Sequence, residues 1–327
     1  MIEKLYVDPF LKSPCKLLKK DNVLVNEHNK KYKIINNIPR FVTSENYASS
    51  FGLQWNKFRK TQLDSFTGTS LTENRLLEFF DHDLSLFKNK EVLEVGSGAG
   101  RFTEILLKTQ LSLLCSVDFS TAVEANYQNH GNYKNLFICQ ADVRCLPYKD
   151  NSFDVVVCLG VIQHTPNPEE TIKILVEKLN KGGTLLIDHY ALDYPENNAR
   201  KFLRKFLISK NPSFCYLFVS FLTAFLWPIH RLVWLLEQKL VKSNRGQRIR
   251  KFWLKVSPIL DYHTLYRPLS PKLQYMWSKL DTHDTLTDFY KHLRSKDQIK
   301  RALEKHDLEI LFVKKGGNGI IAKAIKR

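Results

Sequence analysis

Along this chain the hydrophobic positions fall into short unbroken runs separated by longer mixed stretches, and that alternation marks out its elements. The runs at 92–95, 111–120 (LSLLCSVDFS), 136–143 (LFICQADV), 153–160 (FDVVVCLG) and 184–187 (TLLI) predict five buried strands. Stretches of helical length lie between them, so the pattern predicts a parallel sheet with helices on both faces. The Gly182-Gly183 pair reads as the turn into the fifth strand. Two further strands are predicted at 308–313 (LEILFV) and 319–324 (GIIAKA), with the intervening GGNG making a hairpin at the sheet's edge. The fold class is α/β: seven strands, mostly parallel with an antiparallel last strand, and a helical insertion before the last two.

Candidate chemistry gathers where these strands end. The first strand holds one charge, Glu94, and runs into Gly96, Gly98 and Gly100, a G-x-G-x-G loop whose missing side chains let a ligand approach the backbone. A dinucleotide fingerprint would place its third glycine at 101, which is Arg. Asp118 closes the second strand, where a carboxylate accepts hydrogen bonds from ribose hydroxyls, although Asp118 as a helix cap is the structural alternative. Asp142 closes the third strand, followed by Val143, and Leu159–Gly160 closes the fourth ahead of VIQHTPNP. Ligands in such sheets bind outside the carboxyl ends of the strands, which is where all four motifs fall.

In order and spacing, VLEVGSGAGRFT, VDFS, ADVRCLPYKDNSFDVVVCLGVIQHTPNP and LNKGGTLLI resemble the class I S-adenosylmethionine (SAM)-dependent methyltransferases, over residues 90–190. The resemblance implies a Rossmann-like sheet and SAM as cofactor, which the misplaced third glycine also favours over NAD. It implies that Gly96 and Gly98, with Gly100, approach the methionine half. Asp118 and Phe119 would then lie at the ribose, and Asp142 and Val143 at the adenine. The loop from Leu159 to His164 would border both the amino-acid end of the cofactor, at Leu159, and the acceptor. His164 is a candidate general base and Gln163 a positioning residue; a loop histidine beside prolines also has a structural reading. Glu94 is either a ligand contact or a satisfied polar group beneath the loop.

The flanks add partners rather than chemistry. Residues 1–46 resemble the zinc-ribbon module that precedes some bacterial methyltransferases, in degenerate form: Cys15 and His28 are two of the four ligands zinc needs. No metal is expected there, nor at Asp281, His283 and Asp284, which read as a polar cluster in a solvated loop. Residues 47–65 resemble a segment ahead of the SAM domain in a group of bacterial methyltransferases. Its Trp55, Phe58 and Arg59 either cap a ligand or pack a helix, with Phe51, onto the domain that continues to residue 190. The six cysteines contain no C-x-x-C, and 1–11 is too polar for a signal peptide, so a cytoplasmic protein is expected.

The insertion spans 191–295, much longer than a crossover needs, and 296–327 returns to the core. Within 195–258 stand thirteen Lys and Arg against two Glu, so most of the net charge of +17 lies there. Inside it, 211–230 (NPSFCYLFVSFLTAFLWPIH) carries no formal charge. Pro228 breaks the run, and the strands on either side must share one sheet, which argues against a single bilayer span. Three readings stand: a lid of paired helices, a re-entrant hairpin, or an interfacial helix whose basic flanks, at 200–255, seek anionic lipid. The expected activity is methyl transfer to a small-molecule, glycan-linked or lipid-linked acceptor. An RNA methyltransferase and a non-catalytic SAM-binding scaffold are the alternatives, nucleic acid being the minority reading because no RNA-binding module is recognisable.

Overall fold

The computed structural model describes residues 5–11, 13, 16–18, 21–42, 46–80, 83–240, 244–264 and 269–327. They form two compact units: 1–59, 70–194 and 290–327 make the first, and 60–69 with 195–289 the second.

The first unit opens with a small antiparallel sheet of β1 (Lys16–Leu18), β2 (Val23–Val25), β3 (Lys31–Ile35) and β4 (Ile38–Pro39), in that order. The buried Asp8 carboxylate ties its loops together, accepting from the Phe10 and Leu11 amides, the Asn26 side chain and, at 2.5 Å, the Tyr32 hydroxyl. Cys15, one of the two ligand-type residues left in the degenerate ribbon segment, lies outside the described residues, and His28 is exposed beside Glu27.

Seven strands build the main sheet: β5 (Glu91–Val95), β6 (Leu113–Asp118), β7 (Leu136–Gln140), β8 (Phe153–Cys158), β9 (Leu179–Tyr190), β10 (Leu308–Gly316) and β11 (Gly319–Lys326). Their order is β7-β6-β5-β8-β9-β11-β10, with β5 to β9 parallel and β11 antiparallel to both β9 and β10. This is the Rossmann-like α/β arrangement expected. Both faces are covered: Leu93 and Val95 pack into one core cluster while Val92, before them, packs into the other. Two-sided burial is why these strands are continuous apolar runs rather than alternating ones. The Gly182-Gly183 pair, expected as a turn, instead sits inside a twelve-residue β9. There the register with β8 jumps from Phe153–Leu179 to Val155–Thr184, and Gly182 takes φ +77° to absorb the extra residues.

The helices of this unit are α1 (Ser49–Lys57), α3 (Leu71–Leu77), α4 (Arg101–Leu107), α5 (Val123–His130), α6 (Pro168–Lys178) and α11 (Lys296–Glu304); α2 (Asp64–Thr67) belongs to the second unit. That unit is otherwise α7 (Asn198–Leu207), α8 (Pro212–Lys239), α9 (Arg245–Val256) and α10 (Pro271–Thr287). Three arginines hold it together from within. Arg200 donates to the Pro195, Pro258 and Ile259 carbonyls, Arg204 to Asp288, and Arg250 to Glu237 and Asp261.

Two expectations fail here. Pro228 does not break the apolar segment, and no hairpin forms: α8 runs through it for 28 residues. The hydrogen bond that proline removes would have gone to the carbonyl of Ala224, a residue that is exposed rather than packed. Asp281, His283 and Asp284 lie in α10, not in a solvated loop. Asp281 accepts from the Tyr262 hydroxyl and from Gln62, and His283 is fully buried, with burial pulling its pKa down to about 4.

Candidate functional site

Three of the five residues in the turn after β5 take backbone that a side chain resists. Gly96, Gly98 and Gly100 take φ of +78°, +54° and +86°. A Cβ on Gly96 would lie 2.0 Å from a Val161 methyl, and one on Gly100 would lie 2.4 Å from Asn126 Oδ1. At Gly98 the neighbour is the Trp55 indole, 3.2 Å from such a Cβ. The candidate cap Trp55 therefore lies against the middle of the loop, from helix α1, and Phe58 at that helix's C-terminal cap is buried as a packing residue should be.

Helix α5 grips the loop from the other side. Asn129 Nδ2 donates to the Ala99 carbonyl at 2.8 Å, and His130 Nε2 lies 3.0 Å from the Gly100 carbonyl. Burial lowers the His130 pKa, so this ring is a neutral donor. Neither residue was identified from sequence, since Asn and His inside a helix carry no signature of their own.

Glu94 lies under the loop rather than in it. It is 2% exposed, and its Oε2 accepts from Thr103 Oγ1 at 2.5 Å and Ser116 Oγ at 2.6 Å. Burial raises its pKa to about 7 despite these bonds. Asp118 is turned the other way. One oxygen accepts the Gly98 N–H at 2.9 Å and the other accepts the Ser120 N–H and hydroxyl, while burial raises its pKa. Ser120 in turn accepts the Ala122 N–H, so Ser120 serves the helix start and Asp118 serves the glycine loop.

Asp142 sits at the end of β7 with Val143 buried beside it. Arg144 clamps both of its oxygens, at 2.6–3.1 Å. Phe119 has its carbonyl held by Asn46 and Gln140, each at 3.0 Å, and its ring 4.9 Å from that of Tyr47. Tyr47 meets Tyr290 edge-on at 5.1 Å, and burial raises the Tyr47 pKa.

The loop after β8 closes the group. Leu159 is buried, and the Gly160 N–H donates to Asp188, which also binds Arg75. His164 points its Nδ1 at the Tyr290 carbonyl, 3.0 Å away, and its ring stands edge-on to Phe51 and Tyr190, each at 5.2 Å. Gln163 is fully buried, and neither polar atom of its amide has a partner among the described residues. Its carbonyl accepts from His292, whose ring lies 3.0 Å from the Thr165 carbonyl. Tyr290 and His292 are thus stitched across this loop. Sequence reading assigned them no role, and YKHLR carries no periodicity that would have done so.

Within this unit the structure brings Gly96, Gly98, Gly100, Asp118, Phe119, Asp142, Val143, Leu159, Gln163 and His164 to one end of the sheet. The model for a methyltransferase domain matches residues 93–187. A ubiquinone biosynthesis O-methyltransferase of Coxiella burnetii is 31% identical over 112 residues, 33% of this chain and 47% of that protein. A tRNA U34 carboxymethyltransferase of Campylobacter fetus is 27% identical over 189 residues, 50% of this chain and 65% of that protein. The chain thus spans about half the length of the first of these relatives and just under two thirds of the second. A SAM-dependent methyltransferase structure from Aquifex aeolicus aligns over 86% of this chain and all of its own, at 14% identity and a TM-score of 0.44. Over residues 93–187, this chain is therefore similar to methyltransferase domains.

Proposed function

We propose that this protein transfers the methyl group of SAM to a small-molecule, glycan-linked or lipid-linked acceptor. The observation that carries the reading is the loop of three glycines at positive φ, latched to Asp118 through the Gly98 N–H. Bound SAM would supply an electrophilic methyl on a sulfonium centre, a reaction that needs in-line placement more than it needs a strong base.

The donor set fits that cofactor unevenly. Asp118 Oδ2 keeps a lone pair beyond the one Gly98 uses, enough to accept a ribose hydroxyl. Asp142 accepts an adenine amine only if Arg144 swings aside. The glycine backbone would hold the amino-acid end. Phe119, Tyr47 and Tyr290 supply apolar surface that excludes water, and the Tyr290 carbonyl fixes the orientation of the His164 ring. Gln163, with an unsatisfied buried amide, is the better candidate for positioning an acceptor. The five described cysteines are all free thiols, which supports a reducing, cytoplasmic setting.

An RNA acceptor is the second reading, favoured by the likeness to the Campylobacter enzyme over half the chain. Incubation with methyl-labelled SAM and separated lipid, glycan, small-molecule and RNA fractions distinguishes them. Label in a non-RNA fraction is expected; label in RNA alone overturns the acceptor class, and intact SAM binding with no labelled fraction leaves a scaffold.

A further inference from the structure

In α8 the two faces are the wrong way round for a helix in water. The residues turned into its own unit are Cys215, Val219, Thr223, His230 and Val233, all buried, and the Thr223 hydroxyl is without a partner among the described residues. The residues turned outward are the large ones: Phe214, Leu217, Phe221, Phe225, Leu232 and Leu235. At 100° per residue these six fall within one stripe from residue 214 to 235, roughly 33 Å at 1.5 Å per residue. Phe221 is 74% exposed, Leu217 67% and Phe225 64%. Water would reward the opposite rotation, so this face is built for another medium.

The neighbouring helices extend it. Phe206 of α7 meets Phe214 at 6.4 Å, which continues the stripe onto α7, where Phe202 is 74% exposed. Helix α9 presents Ile249, Phe252 and Val256 at helical spacing, with Arg248 and Lys255 flanking them. The cations divide by role. Arg200, Arg204 and Arg250 are spent on internal carbonyls and carboxylates, whereas Lys201, Lys205, Lys210, Arg231, Lys239, Arg245, Arg248, Lys251 and Lys255 are exposed. An apolar aromatic stripe bordered by unburied cations matches the boundary between acyl chains and anionic headgroups.

We infer that α7, α8 and α9 dock this protein onto an anionic phospholipid surface, with α8 lying in the plane of the interface rather than crossing it. Length and composition alone would allow α8 to cross, since its 28 mostly apolar residues exceed the ~20 that span a bilayer. Its inner face forbids that. His230 is bonded to Ser257 at 2.7 Å and lies 3.9 Å from Asp261, so crossing would carry a buried polar network into hydrocarbon. The inference stands on the second unit and does not depend on methyl transfer; if both hold, a lipid-linked acceptor would be met at the surface where it resides.

Vesicle flotation of the full chain tests it, with phosphatidylcholine alone and with added phosphatidylglycerol. The unaltered protein is expected to float with the anionic vesicles at least tenfold better than with the neutral ones. Phe221→Glu with Phe225→Glu, both at solvent-exposed positions, should abolish flotation while SAM binding, read separately by calorimetry, is unchanged. Lys251→Glu with Lys255→Glu should reduce the preference for anionic lipid. No flotation of the unaltered protein, or flotation that the phenylalanine changes leave intact, overturns the inference. So does tight, salt-sensitive RNA binding that replaces lipid binding, which would assign the cations to nucleic acid.

Discussion

Gly98 shows how a single position can be read correctly in sequence and still be incompletely understood. The glycine spacing is visible, but the reason for this glycine is both a φ of +54° and an indole 3.2 Å from where a Cβ would sit. Gly98→Ala should cost about 1–2 kcal/mol from the left-handed backbone alone and displace Trp55. A lowered melting temperature and weakened SAM binding are expected, and an unchanged affinity would detach this loop from the cofactor. Glu94 makes a prediction with a definite sign. Its folded pKa of about 7 lies above the unfolded value, so the native state holds the extra proton between roughly pH 4.5 and 7. Stability from this group is therefore present at low pH and lost as pH rises through 7. Glu94→Gln should stabilise the protein above pH 7 by up to about 3 kcal/mol, with the gain vanishing below about pH 5. Chemical denaturation at pH 5 and pH 8 reads this directly; a gain at pH 5 alone would contradict it. Whether Glu94 was a ligand or a buried polar group was not legible, because the answer lies in Thr103 and Ser116, the latter on a different strand.

At the level of elements, strand positions were legible and helix ends less so. Every core strand was predicted because burial on both faces leaves an apolar run, yet β9 was read as four residues where it has twelve. Its first half carries Lys181 and two glycines, which look like a turn when the bulge against β8 is not in view. Pro228 misled for a related reason: an interior proline costs one helix hydrogen bond without necessarily ending the helix, and the other turns of α8 carry it through. Helix α11 has a full capping box, in which Gln298 N donates to Ser295 Oγ at 3.2 Å and Ser295 N donates to the Gln298 side chain at 2.7 Å. Ser295→Ala should cost about 1 kcal/mol, read as a shift in the denaturation midpoint with unchanged slope. No shift would mean that packing of Ile299 and Leu303 alone sets this helix.

Across the whole molecule, the sequence disclosed the cofactor end of the fold far better than the insertion. Motifs at strand ends are local, whereas the second unit is specified by contacts distant in sequence, such as Trp277 donating to the Thr61 carbonyl at 2.6 Å. The two units should also respond oppositely to acid. In the second, burial opposes ionisation of Asp261, yet hydrogen bonds from His230, His263 and Arg250 hold its pKa well below the usual carboxylate range. Its contribution is present above about pH 4 and is lost as pH falls below that, while Glu94 in the first unit gains from acid. Hydrogen exchange at pH 3 against pH 6 should show protection falling in 245–264 before it falls in the β5–β6 strands; the reverse order would contradict the assignment. The central claim is that the loop at 96–100 with Asp118 is a SAM site. Calorimetric titration of the protein with SAM and with NAD, repeated on Asp118→Ala, tests it most directly. The account predicts saturable SAM binding, no NAD binding, and at least a tenfold loss of SAM affinity in the variant. Absence of SAM binding to the unaltered protein, or NAD binding in its place, would contradict it.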